Sequence, residues 1–139
     1  MATPSASERK ELLAMPDSEY MNAKQKDFFF RLITSERARL IEHIDELSQQ
    51  LKRSEQQGDE ADKAIREEEL RLLFRQIDRQ SRLLPKYDAA LIRLHNDEYG
   101  FCTETGDPIG LQRLLLRPIA ELSIDAKIRQ EMIESQYRK

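Results

Sequence analysis

The stretch Leu51-Lys-Arg-Ser-Glu-Gln-Gln-Gly58-Asp59-Glu60-Ala-Asp62-Lys-Ala64 is the one interruption in a long helical pattern. Before it, Phe30, Ile33, Arg37, Leu40, Ile44, Leu47 and Leu51 follow one another in alternating steps of three and four. After it, Leu70, Leu73, Ile77, Gln80, Leu84, Tyr87, Leu91 and Leu94 do the same. That alternation is the heptad signature of a coiled-coil seam. Gly58 suits the left-handed position just past a helix end, and Asp59 suits the cap of a returning helix. Glu60 and Asp62 favour its first turn through the helix dipole.

Folding the chain back at Gly58/Asp59 pairs positions whose numbers add to 117, placing Leu47 against Leu70, Leu40 against Ile77, Ile33 against Leu84 and Phe30 against Tyr87. The polar seam position Arg37 then faces the polar seam position Gln80. Matched defects of this kind fix a register. The fold class expected is mainly all-α: a long antiparallel coiled-coil hairpin over 22–96, its tip at 58–64 and its arms about 45 Å long.

Around the hairpin the chain divides simply. Met1 to Pro4 reads as disordered, and Ser7 to Met15 fits a short helix stopped by Pro16-Asp17-Ser18. Residues 1–21 are expected to pack on a small head. Asn22-Ala-Lys-Gln25 has the form of a capping box, so the first arm starts there and runs to about Gln57. The second arm runs to about Asn96 and contains Pro85, which predicts a kink, because a mid-helix proline loses a hydrogen bond and crowds the preceding turn. Residues 97–139 form the other part of the head. Gly100, Gly106, Pro108, Gly110 and Pro118 mark an irregular knuckle, and Ser123 to about Tyr137 an amphipathic helix with Ile124, Ile128, Met132 and Ile133 on one side.

Composition narrows the function. Charged residues make up 35% of the 139 and aromatics 6%, which suits solvated helices better than a large core. A net charge of -3 argues against general nucleic-acid binding, and no apolar run reaches the length of a membrane span. The single cysteine, Cys102, precludes an internal disulfide and fits a reducing cytoplasm. No catalytic constellation emerges: His43 and His95 lie far apart, without a neighbouring nucleophile, and no phosphate-cradling glycine loop occurs. An enzyme is not expected. The tip carboxylates have an ordinary reading as helix caps, so a structural coiled-coil adaptor stays open at this point.

Three stretches together resemble the DksA-type RNA polymerase-binding transcription factors of bacteria (the DksA/TraR family). Asp59-Glu-Ala-Asp62-Lys-Ala64 followed by Glu67-Glu-Glu69 is similar to the family's D-x-x-D-x-A tip and acidic run. Tyr99-Gly-Phe-Cys-Thr-Glu-Thr-Gly106, with Ile109-Gly110, Arg113-Leu114 and Arg117-Pro118, is similar to the first half of its zinc-finger knuckle. Leu122-Ser-Ile-Asp-Ala-Lys127 is similar to the second half. The resemblance implies a cytoplasmic regulator, expected to be a monomer, whose hairpin enters the secondary channel of RNA polymerase. There the tip, at Asp59, Asp62 and Ala64, would destabilise promoter open complexes. It implies ppGpp as effector, bound with polymerase at Arg79, Leu83, Lys86, Arg117 and Lys127, and no sequence-specific DNA binding. A channel-binding competitor without that effect is the other reading within this group.

In one respect the chain departs from the family. Where its knuckle has four zinc-binding cysteines, the corresponding positions are Cys102, Thr105, Ser123 and Ala126. One thiol, two hydroxyls and a methyl are not a tetrahedral zinc site, so no zinc is expected. The degenerate knuckle should instead close on Phe101, Ile109, Leu111, Leu114, Leu122, Ile124 and Ile128, with a hydrogen bond between Thr105 and Ser123.

Overall fold

A computed structural model describes residues 3–56 and 63–137. The expected tip residues Gly58, Asp59 and Asp62 lie outside the described residues, as does Gln57. Among the described residues the fold is all-helical. The order is α1 (Ala6–Ala14), a 3-10 turn (Asp17–Glu19), α2 (Ala23–Gln56), α3 (Lys63–Ser81), α4 (Leu84–His95), α5 (Leu111–Leu116) and α6 (Ile124–Tyr137).

The start of α2 shows how local chemistry sets the chain direction. Asn22 Oδ1 accepts the backbone N–H of Gln25 at 2.8 Å, and Gln25 Oε1 reaches back to the N–H of Met21 at 2.6 Å. The capping box is therefore present, with its return bond one residue earlier than in the usual form. Gln25 is fully buried, and its amide also lies 3.3 Å from Met15 Sδ, so a polar core residue has its hydrogen bonds met.

The second arm is two helices, which corrects the expectation of one kinked helix. Pro85 has no N–H and its ring crowds the carbonyl four residues back, that of Ser81, where α3 ends. Leu83 keeps helical angles and its carbonyl accepts from Lys86 at 3.0 Å and Tyr87 at 3.1 Å, so the hydrogen-bond ladder breaks while the chain continues onward. The arm then closes in a Schellman-like cap, with Asp97 at φ 59 and Glu98 N–H bonded to the Arg93 carbonyl at 2.8 Å.

Both helices of the second arm, α3 and α4, pack against α2 in antiparallel fashion. Every seam position named from the heptads is buried or half-buried except Phe30. The pairing of the arms differs from expectation. Arg37 Nε bonds Asp88 Oδ1 at 2.8 Å instead of lying beside Gln80. Tyr87 Oη donates to Glu36 at 3.3 Å, and Lys26 pairs with Asp97 at 2.6 Å. Residue numbers across these three contacts, all between α2 and the part of the second arm beyond Pro85, add to 123–125, against the 117 expected, a displacement there of about one heptad. Heptads repeat every seven residues, so a shift of one heptad keeps most apolar pairs and sets Gln80 against Ile44 and Arg37 against Tyr87. The choice falls to polar partners, and Arg37 finds a carboxylate one heptad further on.

The core sits at the hairpin base. Phe28, Phe29, Leu32 and Ile33 of α2 form one cluster with Leu12 of α1, Ala90 and Leu94 of α4, and Tyr99, Cys102, Ile109, Leu114 and Ala126. Thr3 and Pro4 depart from the expected disorder, Met1 and Ala2 lying outside the described residues: Pro4 is buried and the Thr3 hydroxyl lies 2.7 Å from that of Ser35. Glu8 of α1 pairs with Arg31 of α2, which holds the Glu8 carboxyl below its ordinary range. The C-terminal helix departs from expectation. Of its residues only Ala126 is buried, and Ile124, Ile128, Met132 and Ile133 face outward.

Candidate functional site

Three regions carry the residues singled out by sequence. At the far end of the hairpin, Ala64 stands exposed in the first turn of α3, followed by exposed Glu67, Glu68 and Glu69. Its companions Asp59 and Asp62 lie outside the described residues.

The second region is the break at Pro85. Arg79 is exposed in the last turn of α3, Leu83 is half-buried just before α4, and Lys86 is exposed in its first turn. Leu83 and Lys86 are joined through the backbone, whereas Arg79 stands on the other side of the break. Arg79 and Lys86 therefore do not share one continuous helix face, as an unbroken arm would have given them. Arg117 and Lys127 belong to the head. Arg117 is exposed at the end of α5, and Lys127 is half-buried in α6 with Nζ 4.0 Å from Glu131. Among the described residues no hydrogen bond or ion pair runs from Arg79, Leu83 or Lys86 to either of them.

Arg117 does line a groove of about 790 Å³ between the end of α1 and α5. Leu13, Met15, Tyr20, Arg113 and Leu116 share it. Tyr20, whose importance heptads could not reveal, ties its wall together. Its hydroxyl donates to the Gly100 carbonyl at 2.5 Å and accepts the Gly110 N–H at 3.0 Å, while its ring meets Phe101 edge-on at 5.5 Å. Gly100 has φ +92, and a Cβ there would come within 2.9 Å of Met21 Cγ, so no side chain fits.

The third region is the knuckle. A bridge between Phe101 and Pro108, with Cys102 N–H bonded to Asp107 O at 2.7 Å and Gly106 N–H to Cys102 O at 2.8 Å, folds it tightly. Thr103 N–H reaches Glu121 O at 2.8 Å, bringing the two halves together. Arg93 reinforces this from α4 through Glu121 at 3.0 Å, and its Nη2 is buried without a hydrogen-bond partner. The positions Cys102, Thr105, Ser123 and Ala126 thus converge, with roles other than ligation. Burial pushes the Cys102 thiol up, but hydrogen bonds from the Thr105 side chain and from the backbone of Ser123, Thr105 and Glu104 outweigh it and bring it to about 6. Thr105 therefore serves Cys102, and Ser123 Oγ caps α6 by accepting the Ala126 N–H at 3.3 Å. The expected Thr105–Ser123 bond is replaced by these two.

The donor set does not fit zinc. Cys102 supplies one of the four ligands of a C4 knuckle, and Thr105, Ser123 and Ala126 offer no second thiolate or imidazole. Among the described residues no group of three or more metal-binding side chains occurs. None of the described helices is long and apolar enough to cross a membrane.

Comparison with known proteins accounts for this arrangement. Residues 25–94 match the family described as DnaK suppressor protein DksA, N-terminal domain, and residues 97–131 match the prokaryotic dksA/traR C4-type zinc finger. The chain is 36% identical over 132 residues to the RNA polymerase-binding transcription factor DksA of Caulobacter vibrioides, covering 94% of this chain and 93% of that one. To the protein of the same name from Escherichia coli it is 34% identical, covering 87% and 81%. The solved structure of transcription factor DksA2 from Pseudomonas aeruginosa matches with a TM-score of 0.84 and 48% identity, covering 91% of this chain and 98% of that one. A hairpin on a knuckled head, with both parts matched in order, places this chain in the DksA/TraR family, as a member that keeps the knuckle's fold but one of its four cysteines.

Proposed function

We propose that this protein is a regulator of transcription initiation that binds RNA polymerase and sends its hairpin into the secondary channel. The observation that carries the reading is the shape of α2 within a family of polymerase-binding relatives. Its 34 residues span about 50 Å, and the half away from the head is thin and highly charged. Such an arm reaches a site that the head cannot enter. Asp59, Asp62 and Ala64 then act near the catalytic centre, where added negative charge and a short side chain destabilise promoter open complexes. Some promoters are inhibited and others activated, and the role is regulatory, without catalysis by the chain itself.

In this reading ppGpp binds between the protein and polymerase. Arg79, Lys86, Arg117 and Lys127 supply cations for its phosphates, since guanidinium and ammonium groups are the expected partners of polyphosphate. Leu83 supplies an apolar contact. The break at Pro85 exposes Lys86 in a first helical turn, and polymerase completes a site that the protein's own folding does not assemble. The protein works in the cytoplasm as a monomer and without zinc. Elemental analysis of the purified chain should find no stoichiometric metal.

The test is a purified transcription assay on a ribosomal RNA promoter, with and without ppGpp. The wild-type chain should inhibit, and ppGpp should deepen the inhibition. Asp62→Asn should keep polymerase affinity and lose inhibition. Arg117→Ala and Lys127→Ala should keep basal inhibition and lose most of the ppGpp response. Affinity falling in step with activity in Asp62→Asn would reassign that residue to anchoring. A wild-type chain that binds without any effect would favour a channel-binding competitor.

A further inference from the structure

Both side-chain amides at the start of α2 aim their nitrogens at a single sulfur atom. The Asn22 and Gln25 side-chain oxygens are committed to backbone donors, the N–H of Gln25 at 2.8 Å and that of Met21 at 2.6 Å. Each NH2 group therefore faces the other way, and both meet Met15 Sδ, Gln25 Nε2 at 3.3 Å and Asn22 Nδ2 at 3.5 Å. Gln25 is fully buried, whereas Met15, at the end of α1, is half-buried. It lines the groove of about 790 Å³ beside α5 on one side and a smaller one of about 260 Å³ between α1 and α2 on the other. Met15 is thus open to small solutes while its sulfur touches the core through Gln25.

We propose that Met15 is a peroxide-oxidisable site whose sulfoxide loosens the joint between the head and α2. A sulfur lone pair attacks one oxygen of hydrogen peroxide, and the S–O bond forms as the O–O bond breaks. The departing oxygen keeps its hydrogen, takes up the proton of the transferred oxygen and leaves as water. The thioether is oxidised to the sulfoxide by two electrons, and peroxide is reduced. The amide N–H groups of Asn22 and Gln25 stabilise the negative charge that develops on oxygen in this step. This site is independent of what the hairpin binds.

Geometry turns the modification into a structural change. A sulfoxide oxygen that accepts an N–H at ordinary hydrogen-bond length sets that donor roughly 4 Å from sulfur. Gln25 Nε2 stands at 3.3 Å, inside a close-packed core that leaves it little room to retreat. Either the oxidised side chain swings out of its place, or Gln25 shifts together with its Oε1 bond to the Met21 N–H. In the first case a buried amide loses its partner, and in the second the capping box opens. The other described methionines lack this combination. Met21 is 7% exposed, and Met132, 60% exposed, stands clear of the core.

The test treats the full chain with hydrogen peroxide and maps sulfoxides by peptide mass spectrometry. Met15 should oxidise within about threefold of the rate of Met132 and at least about tenfold faster than Met21. The oxidised protein should lose about 4 °C in Tm, and the Met21 amide should exchange about fivefold faster, as for loss of one helix cap. Met15→Leu keeps the volume and removes the sulfur. Compared with its own untreated form it should show neither change, although Met132 and Cys102 are still present. Methionine sulfoxide reductase should restore both values in the wild type. A Met15 that stays reduced while Met132 is converted would overturn the proposal. So would oxidation of Met15 with no change in Tm or Met21 exchange, an equal loss in Met15→Leu, or a loss that persists once Met15 is reduced again.

Discussion

The two ends of the hairpin are built on the same heptads and are stabilised very differently. At the base, α2 buries Phe28, Phe29, Leu32 and Ile33 within six residues, because α1, α4 and the knuckle surround it. Further out it has one neighbour, α3. There Leu40, Leu47 and Leu73 are buried, while Ile41, Ile65, Leu72 and Phe74 remain largely exposed. A two-helix ribbon can bury one side chain per layer where a multi-element base buries several. Cooperative stability therefore resides in the base, and the arm extends from it with little core of its own. Local opening should be easiest in the outer arm, which is also the part that the proposed function sends into polymerase.

The sharpest way to break this contrast is to cut each end. Phe29 is fully buried, with ring centroids 5.2 Å from Phe28 and 5.4 Å from Tyr99. Phe29→Ala should cost about 3–5 kcal/mol, the usual range for removing a core aromatic, and unfold a large part of the molecule. Leu73→Ala, at the one buried position of α3, should cost roughly 2 kcal/mol, the low end for a buried leucine, because its partly open surroundings can relax. Denaturant titrations of both variants check the order. Equal losses would mean that the outer arm is as strongly coupled as the base.

A smaller effect sharpens the account of the base. Tyr20→Phe removes the bonds to Gly100 O and Gly110 N–H while keeping the ring against Phe101. The expected loss is about 1–2 kcal/mol, since both backbone groups lie in a partly buried setting. The measurement is chemical denaturation, with amide exchange at Gly110 as the local readout. Protection at Gly110 should fall more than at residues of α2.

Cys102 adds a pH dependence confined to the knuckle. Its folded pKa near 6 lies below the ordinary 9.0, so the folded state binds a proton less readily than the unfolded chain. Stability from this group is then fully present above about pH 9 and lost as pH falls toward 6. The difference in Tm between wild type and Cys102→Ser should widen in the wild type's favour as pH rises from about 6 to 9. A constant difference would mean that the thiol stays protonated in the fold.

What was legible in the sequence follows the same division. The seam was readable because a heptad leaves a period, and nearly all of its positions are buried or half-buried. The register was not, since a shift of one heptad keeps most apolar matches and only unpairs Arg37 from Gln80, and the Arg37–Asp88 bond that distinguishes the alternatives is a tertiary fact. Pro85 announced a disturbance, but whether a ladder bends or breaks depends on the packing around it. In the head, four positions with zinc-knuckle spacing located the turn correctly, while the hydroxyls of Thr105 and Ser123 went to separate local partners. The apolar side of α6 was equally plain in sequence. Amphipathicity identifies a face that avoids water, and cannot say whether its cover comes from the same chain.

The smallest expected effect is the most discriminating test of the two-ended picture. Phe74 lies on the outer arm and is 54% exposed, one residue beyond the buried Leu73. If the arm gains little from apolar residues off its seam, Phe74→Gln should change stability by no more than about 0.5 kcal/mol, as for other surface substitutions. Glutamine also forms helices slightly better than phenylalanine, which offsets part of any lost contact. Thermal and urea unfolding of this variant should then overlay the wild type. A loss approaching that of Leu73→Ala would show that the outer arm packs on both sides of its seam. The contrast with the base would then be one of degree, and the arm would reach polymerase as a stiffer rod than its burial suggests.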